Sequence, residues 1–344
     1  MDILECTIRD GGYAIEFQWA AEEIEQIVGR LATAGFTRIE IGHGLGLGAS
    51  RTLTPARCSD VEMTEVSARA KGSAKIGAFF IPGIGNADDL RSFREHGGDF
   101  VRVGTDVSKS ESAFEYVELA VSLGFEVCYN FMKSYVAPPF ELLRRAAPIA
   151  QRGATTIAVV DSAGGMLPDQ VAEYVRVLAA GLDAKIGFHG HNNLLLANAN
   201  SLAAVQAGAA VVDTTLLGMG RGGGNAQTET MLVVLDKAGY PTGINPLDVA
   251  KIADEFVSPK PTRLKGADEL ELIYGFALFH SGFTKRVQDV AASYGVPYQD
   301  LILEVSRYAK ENPSQALIEE AASQLRRGGH VDIHFPKFVH RTWS

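Results

Sequence analysis

The sequence predicts an α/β chain folded as a TIM (β/α)8 barrel with a helical C-terminal extension. Short β-rich segments alternate with amphipathic helical patterns eight times before residue 245. Several of the β-rich segments are nearly continuous apolar runs, which is typical of parallel strands covered on both faces. Many helical patterns end in glycine just before the next strand begins. Eight such units match the length and order of this barrel.

The eight predicted strands follow one another at similar spacing. They cover residues 3–8, 37–42, 75–80, 100–105, 125–131, 155–162, 185–191 and 211–218. Between them, stretches such as 20–35 and 112–124 carry apolar residues at helical spacing. The glycines that end helical patterns are predicted C-terminal caps, and they are Gly35, Gly97, Gly124, Gly153, Gly181 and Gly208. An open doubly wound sheet is the competing fold, but it requires a glycine-rich phosphate turn after the first strand, and RDGGY is not such a turn.

The pattern changes after residue 245, where helical segments follow one another without strands. These segments are 246–257, 268–292, 298–311 and 313–327. The sequence therefore predicts a catalytic barrel at 1–245, a helical C-terminal domain at 246–330 and a surface tail at 331–344. We expect the helical domain to pack on the mouth of the barrel or to form a subunit interface.

Composition and charge argue against several classes of protein. The chain has 344 residues and is 46% hydrophobic, yet no apolar run approaches the ~20 residues of a membrane-spanning helix. A net charge of −9 without a long basic run argues against a nucleic-acid surface. The first residues do not predict a secretory signal, and three scattered cysteines fit a reduced compartment. We expect a cytoplasmic enzyme that binds neither nucleic acid nor membrane.

Polar residues collect at the predicted carboxyl ends of the strands, where TIM barrels carry their active sites. They are Arg9, Asp10, Glu40, His43, Arg102, Asp161, Ser162, His189, His191, Asp213 and the glycine-rich loop 218–224. The other end of the predicted barrel has no such concentration. The carboxyl end is therefore the predicted site of chemistry.

The sharpest signal is the tripeptide His189-Gly190-His191. Residues two apart on a strand face the same side, so both imidazoles can reach one point. Asp10 follows strand 1, which lies near strand 7 in a closed barrel. Two histidines and a carboxylate leave coordination positions open and suit Mn²⁺, Co²⁺, Mg²⁺ or Fe²⁺ as well as Zn²⁺. The alternative is a pair of polar residues at a strand edge.

Three further features have two interpretations each. Arg9 could hold a substrate carboxylate or stabilise a developing enolate oxygen, or it could form a structural ion pair. Ser162 could donate a hydrogen bond to the same carboxylate or cap the following helix. The loop at 218–225 could bind phosphate at a helix N-terminus or act as a flexible lid.

The ordered motifs CTIRDGGY, IEIGHGLGLG, FIPGIG, DSAGG, GFHGHNN and GMGRGGGNA resemble those of the metal-dependent aldolases of the HMG-CoA lyase-like (DRE-TIM) superfamily. The resemblance covers almost the whole chain, and within the superfamily the chain looks most like the 4-hydroxy-2-oxovalerate aldolases. This resemblance implies reversible aldol cleavage of a 4-hydroxy-2-oxo acid to pyruvate and an aldehyde, through a metal-stabilised pyruvate enolate.

The resemblance also implies roles for individual residues. The metal, typically Mn²⁺, would chelate the keto and carboxylate oxygens of pyruvate, and Mg²⁺, Co²⁺ and Zn²⁺ are the alternatives. The implied metal ligands are Asp10, His189 and His191. Arg9 would stabilise the enolate, Ser162 would hold the carboxylate, and Asn225 with the glycine-rich loop would close over the substrate. Aldolases of this type pair with an acylating aldehyde dehydrogenase, and we expect a homo-oligomer.

One departure from the family pattern concerns the general base. The position of Tyr13 usually holds a histidine that serves as the base, whereas an ungapped alignment of SGFTKR places His280 where the family has a tyrosine. We hypothesise that the pair is exchanged, so that His280 is the base and Tyr13 its hydrogen-bond partner, because histidine titrates near ~6.5 and tyrosine near ~10. Alternatively, His280 faces elsewhere and Tyr13 shapes the pocket. The change also predicts an aldehyde larger or more polar than acetaldehyde or propanal.

Two other functions fit the same barrel. An acyl-CoA Claisen enzyme or lyase of the superfamily would share the metal site, but the lyases carry a cysteine in the loop that reads GRGGGNA here. An inactive metal-binding subunit that serves as a scaffold for a dehydrogenase would account for the missing histidine at position 13. Intact Arg9, Asp10 and both histidines argue against the second alternative.

Overall fold

Eight parallel strands close into a barrel in the computed structural model, which describes residues 1–260 and 268–328. The strands follow chain order around the barrel, and β1 pairs with β8 to close it. The strands are β1 (Asp2–Glu5), β2 (Arg38–Ile41), β3 (Lys75–Phe80), β4 (Phe100–Asp106), β5 (Glu126–Met132), β6 (Thr156–Asp161), β7 (Lys185–Gly190) and β8 (Val211–Thr214). The predicted TIM barrel is thereby confirmed.

Helices surround the barrel and continue beyond it. They are α1 (Ala21–Ala34), α2 (Ala49–Thr52), α3 (Asp60–Ala70), α4 (Ala87–Glu95), α5 (Phe114–Ser122), α6 (Pro139–Gln151), α7 (Pro168–Gly181), α8 (Ala197–Gln206), α9 (Thr228–Lys237), α10 (Pro246–Phe256), α11 (Glu269–Ala277), α12 (Thr284–Tyr294), α13 (Tyr298–Ser306) and α14 (Gln315–Arg326). Five of the six predicted glycine caps adopt the left-handed conformation. Gly181 does not; it is the last residue of α7, where a side chain would collide with Leu143.

Two predicted strands are shorter than expected at the ends that carry the site. The prediction ran to residue 8 in strand 1 and to residue 218 in strand 8, but β1 ends at Glu5 and β8 at Thr214. After β1 the chain turns, and the Asp10 amide donates to the Cys6 carbonyl at 2.8 Å. After β8 the Thr215 amide bonds to the Ala226 carbonyl at 3.0 Å instead of to a neighbouring strand. The residues beyond both strands therefore form loops at the barrel mouth.

The barrel interior changes character along its axis. Near the amino ends of the strands it is filled by an apolar cluster that includes Leu4, Cys6, Phe100 and Val211. Alternation places Arg102 on the same face of β4 as Phe100, one layer nearer the carboxyl ends. Arg102 is only 1% exposed. A charged layer thus lies between the apolar floor and the mouth.

The predicted helix 268–292 is wrong as a single element. It consists of α11 and α12, which are separated at Leu278, a residue in the left-handed conformation with φ of 51°. The reversal carries Phe279 into a second hydrophobic core, where it is 1% exposed. Neither glycine nor proline marks position 278, so tertiary packing, and not a local signal, ends the helix.

The second core is separate from that of the barrel. It is built from α11 to α14, with Leu301, Ile302, Val305 and Ile318 fully buried. Helix α10 instead packs on α1 and α9, and its apolar residues belong to the barrel core. We therefore propose that the division predicted at residue 245 falls after α10. The predicted tail, 331–344, lies outside the described residues, as does the end of the helical domain at 330.

The helical domain contacts the mouth of the barrel, as one of the two predicted arrangements requires. Asn193 Nδ2 donates to Glu271 Oε2 at 2.6 Å, and Lys133 Nζ donates to the Glu311 carbonyl at 2.7 Å. Glu271 and Glu311 of the helical domain thus bond to residues in the loops that follow β7 and β5. Among the residues that the structure describes, none forms a helix long and apolar enough to span a membrane.

Candidate metal centre and active site

The structure brings the three predicted metal ligands together at the barrel mouth. One ligand atom from each of Asp10, His189 and His191 lies within 4.8 Å of the other two. The two imidazoles follow from the strand alternation, with ring centroids 5.0 Å apart and planes at 89°. Asp10 reaches them from the turn after β1. All three residues are buried.

Hydrogen bonds from outside the cluster determine which nitrogen each histidine presents. His189 Nδ1 lies 2.9 Å from Asp213 Oδ2, and His191 Nδ1 lies 3.2 Å from the Gly224 carbonyl. Both partners can only accept, so each Nδ1 carries a proton and each Nε2 is the nitrogen left to bind a metal. His189 Nε2 is 3.6 Å from Asp10 Oδ2. The two Nε2 atoms and the carboxylate therefore belong to one site.

The ionisation states suit a cation. Burial would raise the pKa of Asp10, but the neighbouring Arg9 and the two histidines hold it well below its usual value. Burial, reinforced by Arg221, lowers the pKa of His191 well below its ordinary value. At neutral pH, Asp10 is thus an anion and His191 a neutral imidazole, which are the forms that bind metals.

Asn225 adds a fourth donor group to this set. Its Nδ2 donates to Asp10 Oδ2 at 2.8 Å and to the Met219 carbonyl at 3.2 Å. Because both partners accept, the amide orientation is determined, and Oδ1 is left buried with no hydrogen-bond partner in the described part of the chain. A carboxylate, two imidazole nitrogens and an unpaired amide oxygen are suitable donors for a divalent cation. The residues present therefore fit the metal that the motifs imply.

Arg9 forms the structural ion pair that was one of its predicted interpretations. Its Nε donates to Glu40 Oε2 at 2.8 Å, and its Nη1 lies 3.2 Å from Asp10 Oδ1. The ion pair with Glu40 fixes the guanidinium beside the metal-site carboxylate. A fixed cation at that place can stabilise negative charge that develops on a bound substrate.

Behind the cluster, a chain of ion pairs crosses the barrel. Glu40 accepts from Arg9 and, at 2.8 Å, from Arg102. Arg102 also donates to Asp213, which in turn accepts from His189. Glu40, Arg102 and Asp213 were predicted only to converge on this end. Their contacts indicate that they orient Arg9 and His189.

Ser162 does not cap a helix, so that alternative is wrong. Helix α7 begins at Pro168, whereas Ser162 Oγ accepts a hydrogen bond from the Lys133 amide at 2.9 Å. A serine hydroxyl has one donor, and this proton stays available because the Lys133 contact uses Oγ as an acceptor.

Both ring nitrogens of His43 have backbone partners. Leu45 N donates to its Nδ1 at 3.1 Å, and its Nε2 contacts the Thr54 carbonyl at 3.0 Å.

Tyr13 and His280 are both near the mouth, but no hydrogen bond joins them in the described structure. Burial raises the pKa of Tyr13 to about 12. Burial and the charge of Arg221 lower the pKa of His280 well below its ordinary value. His280 Nδ1 accepts from the Gly282 amide at 3.1 Å, so the neutral ring carries its proton on Nε2. The predicted exchange of base and partner stays a hypothesis.

Sequence reasoning missed Arg221, which extends from the glycine-rich loop into the site. Its Nη2 lies 3.0 Å from His191 Nε2 and 3.1 Å from the Ser162 carbonyl, and its Nη1 donates to Ser281 Oγ. A single arginine in a run of glycines at the end of strand 8 was the available signal. The loop itself is tied to β7, since Asn192 N donates to the Gly224 carbonyl at 2.9 Å.

The fold and the site together define a class of protein, the (β/α)8-barrel enzymes with an open site for a divalent cation. The chain belongs to the HMGL-like family, whose model matches residues 1–256. The resemblance seen in the motifs is thereby confirmed. The family match ends at the last residue of α10, which agrees with the packing of that helix on the barrel.

Curated relatives extend the match over nearly the whole chain. A protein of Moorella thermoacetica named 4-hydroxy-2-oxovalerate aldolase is 35% identical over 331 residues, which are 95% of this chain and 98% of the relative. One of Carboxydothermus hydrogenoformans with the same name is 34% identical over 326 residues, which are 94% of this chain and 97% of the relative.

Solved structures agree with the fold. The carboxyl transferase domain of Rhizobium etli pyruvate carboxylase, solved with pyruvate and biocytin, has a TM-score of 0.78 at 15% identity, and the match covers 96% of this chain and 61% of that one. The N-terminal domain of a protein described as an aldolase from Bacteroides vulgatus has a TM-score of 0.69 at 22% identity, covering 90% of this chain and 97% of that one. At these identities the likeness concerns the fold alone.

Proposed function

We propose that this chain is a divalent-metal-dependent class II aldolase that reversibly cleaves a 4-hydroxy-2-oxo acid to pyruvate and an aldehyde. One observation carries the proposal: Asp10, His189 and His191 meet at the barrel mouth with their ligand atoms within 4.8 Å of one another. The relatives named 4-hydroxy-2-oxovalerate aldolase support the choice of reaction. The proposed activity is that of a carbon–carbon lyase.

The site residues divide the work of cleavage. A divalent cation, when bound, polarises the keto acid and offsets its negative charge. Asp10 and the two Nε2 atoms would hold that cation, and Ser162 would donate its free hydroxyl proton to the carboxylate of the keto acid. Arg9 would stabilise the oxygen on which charge accumulates. We propose Mn²⁺ as the native ion, with Mg²⁺, Co²⁺ and Zn²⁺ as the alternatives to compare.

Cleavage breaks the bond between C3 and C4. A base removes the proton of the C4 hydroxyl, the C4–O bond becomes the aldehyde carbonyl, and the electron pair of the C3–C4 bond passes into the keto group to give the pyruvate enolate. Protonation at C3 then yields pyruvate. The reverse order of these events describes aldol addition, in which the base returns its proton to the new hydroxyl.

We propose His280 as that base and Tyr13 as its partner. The low pKa of His280, which follows from burial and from Arg221, keeps the ring neutral near pH 7. Tyr13 is a weaker candidate because burial raises its pKa to about 12. The Gly282 amide occupies Nδ1, so His280 must release this contact or shift its proton from Nε2 before it can accept one.

The pH dependence of the rate in two variants tests the assignment of the base. We expect His280→Ala to lose most turnover and Tyr13→Phe to keep more of it. The decrease of kcat/KM on the acidic side of the pH profile should be absent in His280→Ala. His280→Asn, which can still accept from Gly282, controls for the turn. Loss of turnover only in Tyr13→Phe would contradict the assignment.

A paired assay tests the reaction itself. Metal-loaded enzyme is incubated with pyruvate and a panel of aldehydes, and in parallel with acetyl-CoA and 2-oxo acids. We expect aldol products only in the first series, and none from Asp10→Asn. Products in the second series would favour the Claisen enzyme, and no product in either, despite bound metal, would favour the inactive scaffold.

We also propose a cytoplasmic homo-oligomer that can pair with an acylating aldehyde dehydrogenase. All three cysteines are free, which supports a reducing compartment. Light scattering of the purified chain, alone and with such a dehydrogenase, tests the assembly. A chain that stays monomeric and does not bind the dehydrogenase would refute this part of the proposal.

A further inference from the structure

Arg221 differs from the other cations of the barrel mouth. Arg9 and Arg102 share Glu40 and have further carboxylate partners, and Lys133 Nζ bonds to Asp106 Oδ1 at 2.8 Å. The contacts of Arg221 within the described residues are a hydroxyl, a backbone carbonyl and an imidazole nitrogen, all of them neutral. Arg221 is partly buried. A guanidinium that forms no ion pair with a carboxylate in the described part of the chain is suited to bind an anion.

The place of Arg221 relates it to the aldehyde part of the substrate. It bridges the metal cluster, at His191, and the helical domain, at Ser281. Its charge acts on both His280 and Tyr13, whereas the charge of Arg9 acts on Tyr13 alone of these two. Both residues would attend the C4 hydroxyl. Arg9 lies against Asp10, so the keto acid already has one cation. Groups beyond C4 would therefore lie nearer to Arg221 than to Arg9.

The contact with His191 indicates that Arg221 changes partner when the site is loaded. Its Nη2 lies 3.0 Å from the Nε2 that a cation would require, and two like charges cannot share that nitrogen. The neighbouring Gly222 and Gly224 have φ of 60° and 85°, a conformation that glycine adopts without strain. Glycines on the loop allow the arginine to withdraw, and the Nη2 proton that faces His191 then needs a new acceptor, since the Ser162 carbonyl accepts only the other proton of that nitrogen.

We propose that Arg221 is a specificity-determining residue that binds an anionic group, a carboxylate or a phosphate, carried by the aldehyde part of the substrate. This inference rests on the proposed aldolase function. It predicts that the substrate carries a negative charge beyond C4 in addition to the carboxylate of the keto acid.

Matched aldehydes test the proposal. Butanal and succinic semialdehyde have the same chain length and differ by a carboxylate, and glyceraldehyde and glyceraldehyde 3-phosphate differ by a phosphate. We expect the metal-loaded enzyme to favour one anionic member of these pairs. Arg221→Gln should lower kcat/KM for that aldehyde ~10- to 100-fold, the range for a hydrogen bond to a charged group, through the KM of the aldehyde. The ratio of kcat/KM for the anionic aldehyde to kcat/KM for its neutral counterpart should fall by the same factor, because the contact of Arg221 with His191 affects both aldehydes alike.

Arg286→Gln provides the control, because it removes the same charge from the helical domain at a residue that bonds to the Pro313 carbonyl. Its aldehyde preference should match that of the wild type. Equal losses of Arg221→Gln on neutral and anionic aldehydes would indicate a structural role. A change confined to the KM of pyruvate would place the arginine on the keto acid. Either result, or a wild type without preference for an anion, overturns the proposal.

Two binding measurements separate this inference from the aldolase proposal. Calorimetric titration with succinate, which has no aldehyde, should show binding to the metal-loaded wild type and a loss of ~10-fold or more in Arg221→Gln. Arg221→Gln should also bind Mn²⁺ more tightly, since a competing cation is removed from His191. If no aldehyde yields product, the aldolase function fails while the succinate titration still decides the role of Arg221. Equal succinate affinity in both proteins would refute it.

Discussion

Asp213→Asn examines whether the buried carboxylate next to His189 prepares the metal site. In the native chain, Asp213 Oδ2 accepts the Nδ1 proton of His189 at 2.9 Å, and both side chains are about 5% exposed. Asparagine keeps the shape and removes the charge. It can also turn its amide toward Nδ1 and donate, which moves the imidazole proton to Nε2, where it blocks a metal.

The expected loss follows from this geometry. Removing a carboxylate that orients a metal-bound histidine typically lowers metal affinity ~10- to 100-fold, which is about 1.4 to 2.7 kcal/mol of binding free energy. The upper end is expected here because the pair is buried and poorly screened by solvent. Asp213→Asn also takes one of two carboxylates from Arg102, so its unfolding free energy should decrease as well.

Glu40→Gln is the matched control. It takes the other carboxylate from Arg102 and one of the two carboxylates from Arg9, and it does not contact His189. Glu40→Gln should therefore lower stability without the change of tautomer, and any loss of Mn²⁺ affinity through Arg9 should be smaller than the loss in Asp213→Asn. Isothermal titration of the metal-free proteins with Mn²⁺ measures the affinities, and thermal melts of the same samples measure stability. An unchanged Mn²⁺ affinity in Asp213→Asn, or an equal loss in both variants, would refute the assigned role of Asp213.

Three other predictions concern metal binding and stability. At about 100 times its Kd, Mn²⁺ should stabilise the fold by about 2.7 kcal/mol, seen as a higher Tm that a chelator reverses, and Asp10→Asn should show no shift. Burial raises the pKa of Glu5 from 4.5 to about 7, so the folded chain holds this proton more tightly than the unfolded chain. Wild-type stability should therefore fall by about 3 kcal/mol between these pH values relative to Glu5→Gln in urea titrations, and parallel pH profiles would contradict this. Leu301→Ala should lower the free energy of unfolding by about 2 to 5 kcal/mol, because Leu301 is fully buried in the second core. Its Mn²⁺ affinity in calorimetry should stay at the wild-type value. A fall in affinity would show that the two cores are not independent.

Local patterns in the sequence were sufficient to predict the barrel and the types of side chain that meet at the candidate metal site. Alternation over two residues placed His189 and His191 on one face of β7, and the order of strand–helix units brought Asp10 to the same end. Both arguments depend only on neighbours in the chain. The same reasoning joined α11 and α12 into one helix, because Leu278 carries no local signal for a break.

The sequence by itself determined the eightfold strand–helix order and the set of groups that meets at the mouth. The tertiary structure decided which nitrogen each histidine presents, because Asp213 and Gly224 approach Nδ1 from other elements of the barrel. It also decided that Arg221 forms no ion pair with a carboxylate among the described residues, whereas Arg9 pairs with two carboxylates. Proton positions and counter-ions depend on distances between segments far apart in the chain, and a local repeat carries no information about those distances.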